Sequence, residues 1–175
     1  MRSLPLIVLL VLLAAPAAAE AGIVQDRMVQ IALAEAGRGV QEVPARSNDG
    51  PAIRRYRTAV RHAEKGAWWC GIFVSYVARR AGYPLGSVGQ GIVEVRNLAR
   101  WGRREGFVFR RGTRRPRPGD IALHGLDHTG IVVSVAADGT VFTVDANWSD
   151  TVTHHREPPF SVNRYLRLPE TPAGG

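Results

Sequence analysis

The chain has 175 residues, 45% of them hydrophobic, and carries 23 Lys and Arg against 15 Asp and Glu for a formal net charge of +8. That length gives one domain of ordinary size with room for a real core, and the single cysteine excludes any internal disulfide. The basic side is almost all arginine, with Lys65 the one lysine, a cationic surface suited to an anionic polymer.

Met1 and Arg2 precede an apolar run from Leu4 to Ala15, and Ala17, Ala18 and Ala19 stand before Glu20. A charged start, a short apolar stretch and a small-residue cleavage site predict a secretory signal peptide over residues 1–19. The run is too short for a membrane span, which takes ~20 apolar residues. An exported chain, periplasmic or extracellular and monomeric, is therefore expected. Its lone thiol would meet an oxidising compartment without a partner in the same chain, which favours a reactive role.

Met28, Ile31, Ala32, Leu33 and Ala36 recur at helical spacing over 26–37, and Gly37 and Gly39 stop that helix. A loop over 40–50 ends in Ser47, Asn48, Asp49 and Gly50, and Pro51 is suited to open a second helix. A third begins at Cys70 and ends at Gly82, with Pro84 barring its continuation; a fourth is predicted over about 90–104. The run of arginines from Arg103 to Arg117 reads as a solvated, proline-broken connection. It lacks the interleaved aromatics that nucleic-acid binding would need. Short β-type runs follow over 121–123, 129–136, 140–145 and 162–168, with Asp138-Gly139 as a hairpin turn. Helices first and antiparallel strands second predict an α+β domain over 20–168, the Cys70 helix packed on the sheet, and a disordered tail over 169–175.

Cys70 falls in the first turn of its helix, where unpaired backbone N–H groups and the positive end of the macrodipole face a side chain. That is the setting of a catalytic thiol, and a thiol nucleophile needs a histidine to take its proton and a polar group to orient that histidine. Of five histidines, His128 is the first choice because it opens a strand at the sheet rim. His124 is the second choice, and His154 and His155 read as a polar strand edge or loop. If Asp138-Gly139 is a two-residue turn, Val132 faces Asp145 and Gly130 faces Asn147. His128, Asp145 and Asn147 then share one face, with Asn147 the nearer diagonal neighbour of His128 unless a bulge intervenes.

Trp69-Cys70 with Phe73-Val74, Pro118-Gly119-Asp120-Ile121, His128 to Val132, and Asp145-Ala146-Asn147 together resemble a CHAP domain, in that order over residues 26–168. CHAP domains are cysteine, histidine-dependent amidohydrolases/peptidases of papain-like fold that act on peptidoglycan. The resemblance implies Cys70 as nucleophile, His128 as base and Asp145 with Asn147 as orienting groups. The family more often has Glu where Asp145 stands, which leaves Asn147 a rival for the contact with His128. It also implies peptidoglycan or its stem peptides as partner and hydrolysis of an amide bond. A wall-binding module and an acyltransferase of the same fold are the alternatives. Trp69 and Trp148 are expected to wall a substrate groove, and Asn48 or Tyr56 to donate to the oxyanion. The acidic calcium loop of some phage lysins is absent, since 61–69 offers only Glu64. No metal and no cofactor are expected.

Overall fold

A computed structural model describes residues 22–158 and 160–172; the expected signal peptide lies outside them. Among the described residues, four helices precede a six-stranded antiparallel sheet, the α+β arrangement expected. The helices are α1 (Ile23–Ala36), α2 (Pro51–Arg57), α3 (Cys70–Arg80) and α4 (Val95–Arg104). The strands are β1 (Val108–Arg110), β2 (Ile121–His124), β3 (His128–Val135), β4 (Val141–Trp148), β5 (Thr151–Arg156) and β6 (Arg164–Leu166), in the spatial order β1-β6-β2-β3-β4-β5.

Strand alternation sorts the sheet into two faces. Ile121, Leu123, Ile131, Val133, Val144 and Ala146 join Met28 and Ala32 of α1 and Phe73, Val74 and Val77 of α3 in the main core. Ala122, Val132 and Val141 form a smaller cluster with Phe109, Val162 and Tyr165 on the opposite face. The helical layer lies on one side only, with α1 and α3 both against β3 and β4. α3 is apolar along most of its length because it is sandwiched: Cys70 to Ser75, Val77 and Ala78 are all buried.

Two strands were not expected from the sequence. β1 is a three-residue edge strand, and β5 carries Thr, His and Arg with only Val152 buried, so neither offers an apolar run to read. The hairpin between β3 and β4 also differs from the two-residue turn expected. Its last pair is Val135 with Val141, leaving five residues in the loop, and Ala136 N donates to Thr140 O at 2.9 Å. A five-residue loop inverts the expected parity. A bulge at Val133, between the pairs Val132–Thr143 and Ser134–Phe142, restores it one pair further along.

The C-terminal stretch runs back to the first helix. Glu170 O accepts from Val24 N at 3.2 Å, and Gln25 Nε2 donates to Leu168 O at 2.7 Å. Within the expected disordered tail, Glu170 is thus held to α1 through its carbonyl, and 173–175 lie outside the described residues.

Asp120 ties the start of β2 to the segment just after β6. It is fully buried, and Arg167 donates to it through two nitrogens, Nε to Oδ1 at 2.7 Å and a terminal nitrogen to Oδ2 at 2.8 Å. Arg117 N donates to the same Oδ2 at 2.8 Å. Replacing Asp120 with Ala should strand the Arg167 guanidinium and destabilise the fold by about 3 kcal/mol, read as a shift in the urea unfolding midpoint. An unchanged midpoint would show the pair to be dispensable.

Candidate active site

Cys70 opens α3 immediately after Trp69, whose carbonyl accepts the first intrahelical bond, from Phe73 N at 2.8 Å. The thiol lies in a cleft of about 470 Å³ lined by Asn48, Trp68, Asp127, His128, Asn147 and Trp148 among others. Its Sγ is 3.9 Å from the Asp127 carbonyl. His128 comes to the same cleft from the other half of the chain. It is the first residue of β3, directly opposite His124 across the three-residue turn of Gly125, Leu126 and Asp127. The pairing of rigid strands on both sides of that turn fixes where the imidazole starts.

The bulge at Val133 decides which polar group meets it. Asp145 pairs with Gly130, not with Val132, so Asp145 is the diagonal neighbour of His128. Its Oδ2 lies 2.7 Å from His128 Nε2. Gly130 makes the approach feasible, since a Cβ there would overlap Asp145 Oδ1. Asp145 is completely buried and His128 mostly so. Burial disfavours the charged ring of His128, but the bond to Asp145 and the neighbouring Cys70 side chain outweigh it and raise its pKa to about 9. Burial likewise opposes ionisation of Asp145, and the hydrogen bond to His128 overrides it, holding the carboxyl well below its ordinary range.

Asn147 is placed differently from the expectation. It is the extra residue of a second bulge, between Ala146 and Trp148, with a left-handed φ of 61°. The bulge turns its amide into the cleft, where Nδ2 donates to Asn48 Oδ1 at 3.1 Å. It lines the site but makes its bond to Asn48, leaving His128 to Asp145. Trp148 is 39% exposed and stacks edge-on against the His128 ring, 5.3 Å between centroids. It forms a wall of the cleft.

Trp69 requires a correction. It is fully buried, stacked near Tyr56, and its Nε1 donates to Glu42 Oε1 at 2.9 Å. The residue before a buried helix start points into the core, so the exposed indole beside the thiol is Trp68, at 67% exposure. Tyr56 is likewise removed as an oxyanion donor, since it is fully buried with its hydroxyl on Glu35 Oε2 at 2.7 Å. Asn48 remains in the cleft.

The sequence pattern leaves Glu42 and Glu157 unmarked and gives His124 and His155 other places. Glu42 braces the site from below: one carboxylate oxygen takes Trp69 Nε1 and the other accepts Asn48 N at 2.8 Å. Behind Asp145, His124 and His155 each place Nε2 near its Oδ2, at 3.5 and 3.8 Å, and near Glu157 Oε1, at 3.5 and 3.6 Å. Alternation along β5 was the available signal for His155, but it needed β5 itself, which the polar composition hid.

Residues 62–147 match the family model described as CHAP domain. No curated protein and no solved structure matches the chain.

Substituting Gly130 with Ala tests the seat of the carboxylate. The added methyl should force Asp145 off His128 and cost about 1–3 kcal/mol of stability. Chemical denaturation reads the second effect. A variant as stable as the parent would mean the strand yields freely and Gly130 does not set the contact.

Proposed function

Because this chain belongs to the CHAP domain family, a family of amidase- and peptidase-type hydrolases, we propose that it is an exported bacterial enzyme that cleaves an amide bond of peptidoglycan through Cys70. The observation that carries the reading is the convergence in one cleft of a helix-opening cysteine, a strand-opening histidine and a buried carboxylate 2.7 Å from that histidine. With Nε2 engaged by Asp145, Nδ1 is the nitrogen left for the thiol. Export rests on the apolar stretch and small-residue site at the start of the sequence. The excess of arginine favours approach to an anionic wall.

In this mechanism His128 takes the Cys70 proton and the sulfur attacks the scissile carbonyl carbon. The C–N bond breaks as His128 returns the proton to the leaving amine, giving a thioester on Cys70. Water then gives a proton to His128 while its oxygen attacks the thioester, and the thiol leaves with that proton. The Cys70 N–H in the first turn of α3 and the Asn48 side-chain amide would receive the oxyanion charge. Asp145 keeps the imidazole oriented and stabilises its charged form, whereas Asn147 shapes the cleft wall with Asn48.

Purified sacculi incubated with the protein should release soluble muropeptides whose masses identify the amide cut, and Cys70→Ala should release none while remaining folded. Release by Cys70→Ala equal to the parent's would refute the thiol mechanism. Sedimentation with sacculi without release, by parent and variant alike, would replace hydrolysis with wall binding.

The two orienting candidates separate in the same assay. Asp145→Asn should lower kcat by about 10²–10⁴, as loss of a charged orienting partner does. Asn147→Ala should cost about tenfold or less, through the cleft wall. Equal losses would return Asn147 to the catalytic set.

A further inference from the structure

Two imidazoles and two carboxylates meet behind the cleft without hydrogen-bonding one another. His124 Nε2 is 3.5 Å from Asp145 Oδ2 and 3.5 Å from Glu157 Oε1; His155 Nε2 is 3.8 Å and 3.6 Å from the same two oxygens. These separations are too long for hydrogen bonds. Both Nε2 atoms are withdrawn from solvent and neither has a hydrogen-bond partner. One ligand atom each from His124, Asp145 and Glu157 lies within 4.8 Å of the other two. Buried polar atoms normally find partners, so two unsatisfied ring nitrogens facing two buried carboxylates call for something between them.

We propose that His124, His155, Glu157 and Asp145 bind a divalent transition metal, zinc fitting best. Around a tetrahedral zinc with bonds of about 2.0–2.2 Å, neighbouring ligand atoms stand about 3.3–3.6 Å apart. The four nitrogen–oxygen edges, at 3.5–3.8 Å, are close to that spacing. Imidazole nitrogen and carboxylate oxygen are the donors zinc accepts, and oxygen-only ions such as calcium are disfavoured by the two histidines. Neighbours already hold the carboxylates: Thr143 Oγ1 donates to Glu157 Oε1 at 2.5 Å, Ser161 Oγ to Oε2 at 2.7 Å, and His128 bonds Asp145. Four protein ligands, none exposed beyond 18% of its side chain, make a closed, structural site. The ion would cross-link β2, β4, β5 and the segment after β5 at the end of the sheet that presents His128. The site departs from the expectation of no metal, which rested on the missing acidic loop before Cys70.

The full chain after cleavage of its leader, stripped with chelator, should take up one equivalent of zinc in competition with a chromophoric chelator, and its thermal midpoint should rise on adding zinc. Cobalt in place of zinc should give the intense visible bands of a tetrahedral site, without the near-ultraviolet thiolate charge transfer that binding by Cys70 would produce. This reading on the unmutated protein does not depend on any variant folding. His155→Ala and Glu157→Gln should each weaken zinc binding by about 100-fold or more and lose the thermal shift, while Cys70→Ser should bind as the parent does. No stoichiometric zinc, an octahedral cobalt spectrum, or binding lost in Cys70→Ser but retained in His155→Ala and Glu157→Gln would each overturn the site. The readouts are independent of hydrolysis, so failure of the proposed activity would leave them standing.

Discussion

A carboxylate taken wholly out of water must be met by donors or by cations, and Asp145 imposes that requirement on one end of the sheet. The glycine at 130 clears the space, the bulge at Val133 sets the register, and His128 supplies the donor at 2.7 Å. His124 and His155 complete the surround from β2 and β5. Neutralising the carboxylate would remove the reason for three imidazoles to converge. The position of His128, and with it the geometry offered to the thiol, follows from that one buried charge.

The other half of the cleft is fixed independently. Ser75 Oγ bonds both the N–H and the carbonyl of Ile92, each at 2.9 Å, pinning α3 to the segment before α4. Glu42 ties Trp69 to Asn48, so the residue before the thiol and the loop across from it answer to one side chain. Two rigid bodies, a helix start and a strand start, thus meet at the cleft with little freedom in either. Such preorganisation is what a thiol–imidazole pair needs, because misplacement by an ångström is costly.

Much of this was legible in the residues. The four helices announce themselves by spacing, and the first three also by Gly or Pro at an end, whereas the fourth starts at Val95, later than the spacing alone suggests; His128 was identifiable as the start of a strand leading into an apolar run. A two-residue turn between β3 and β4 would put Asp145 on the face of His128; the chain instead reaches that face through a five-residue loop and a bulge that together restore the same alternation one pair along. Bulges are invisible in a hydrophobic pattern because the pattern resumes beyond them. Trp69 misled for a related reason: adjacency to Cys70 in sequence says nothing about which way a side chain at a helix cap turns. The cluster of His124, His155 and Glu157 was hidden because its members are brought together only by pairing of β2, β4 and β5, and β5 carried no apolar signal.

The contact between the last residues and α1 has a geometric corollary. With Val24 N on Glu170 O and Gln25 on Leu168 O, the two ends of the described domain emerge side by side. Joining them would close a ring with a short linker and little loss of chain entropy, and new ends could then be opened at an exposed turn such as Asp138-Gly139. For the same reason the domain could be spliced whole into a surface loop of another protein, since its entry and exit points are already neighbours. Anything tethered at either end of the described residues would attach to the same side of the domain.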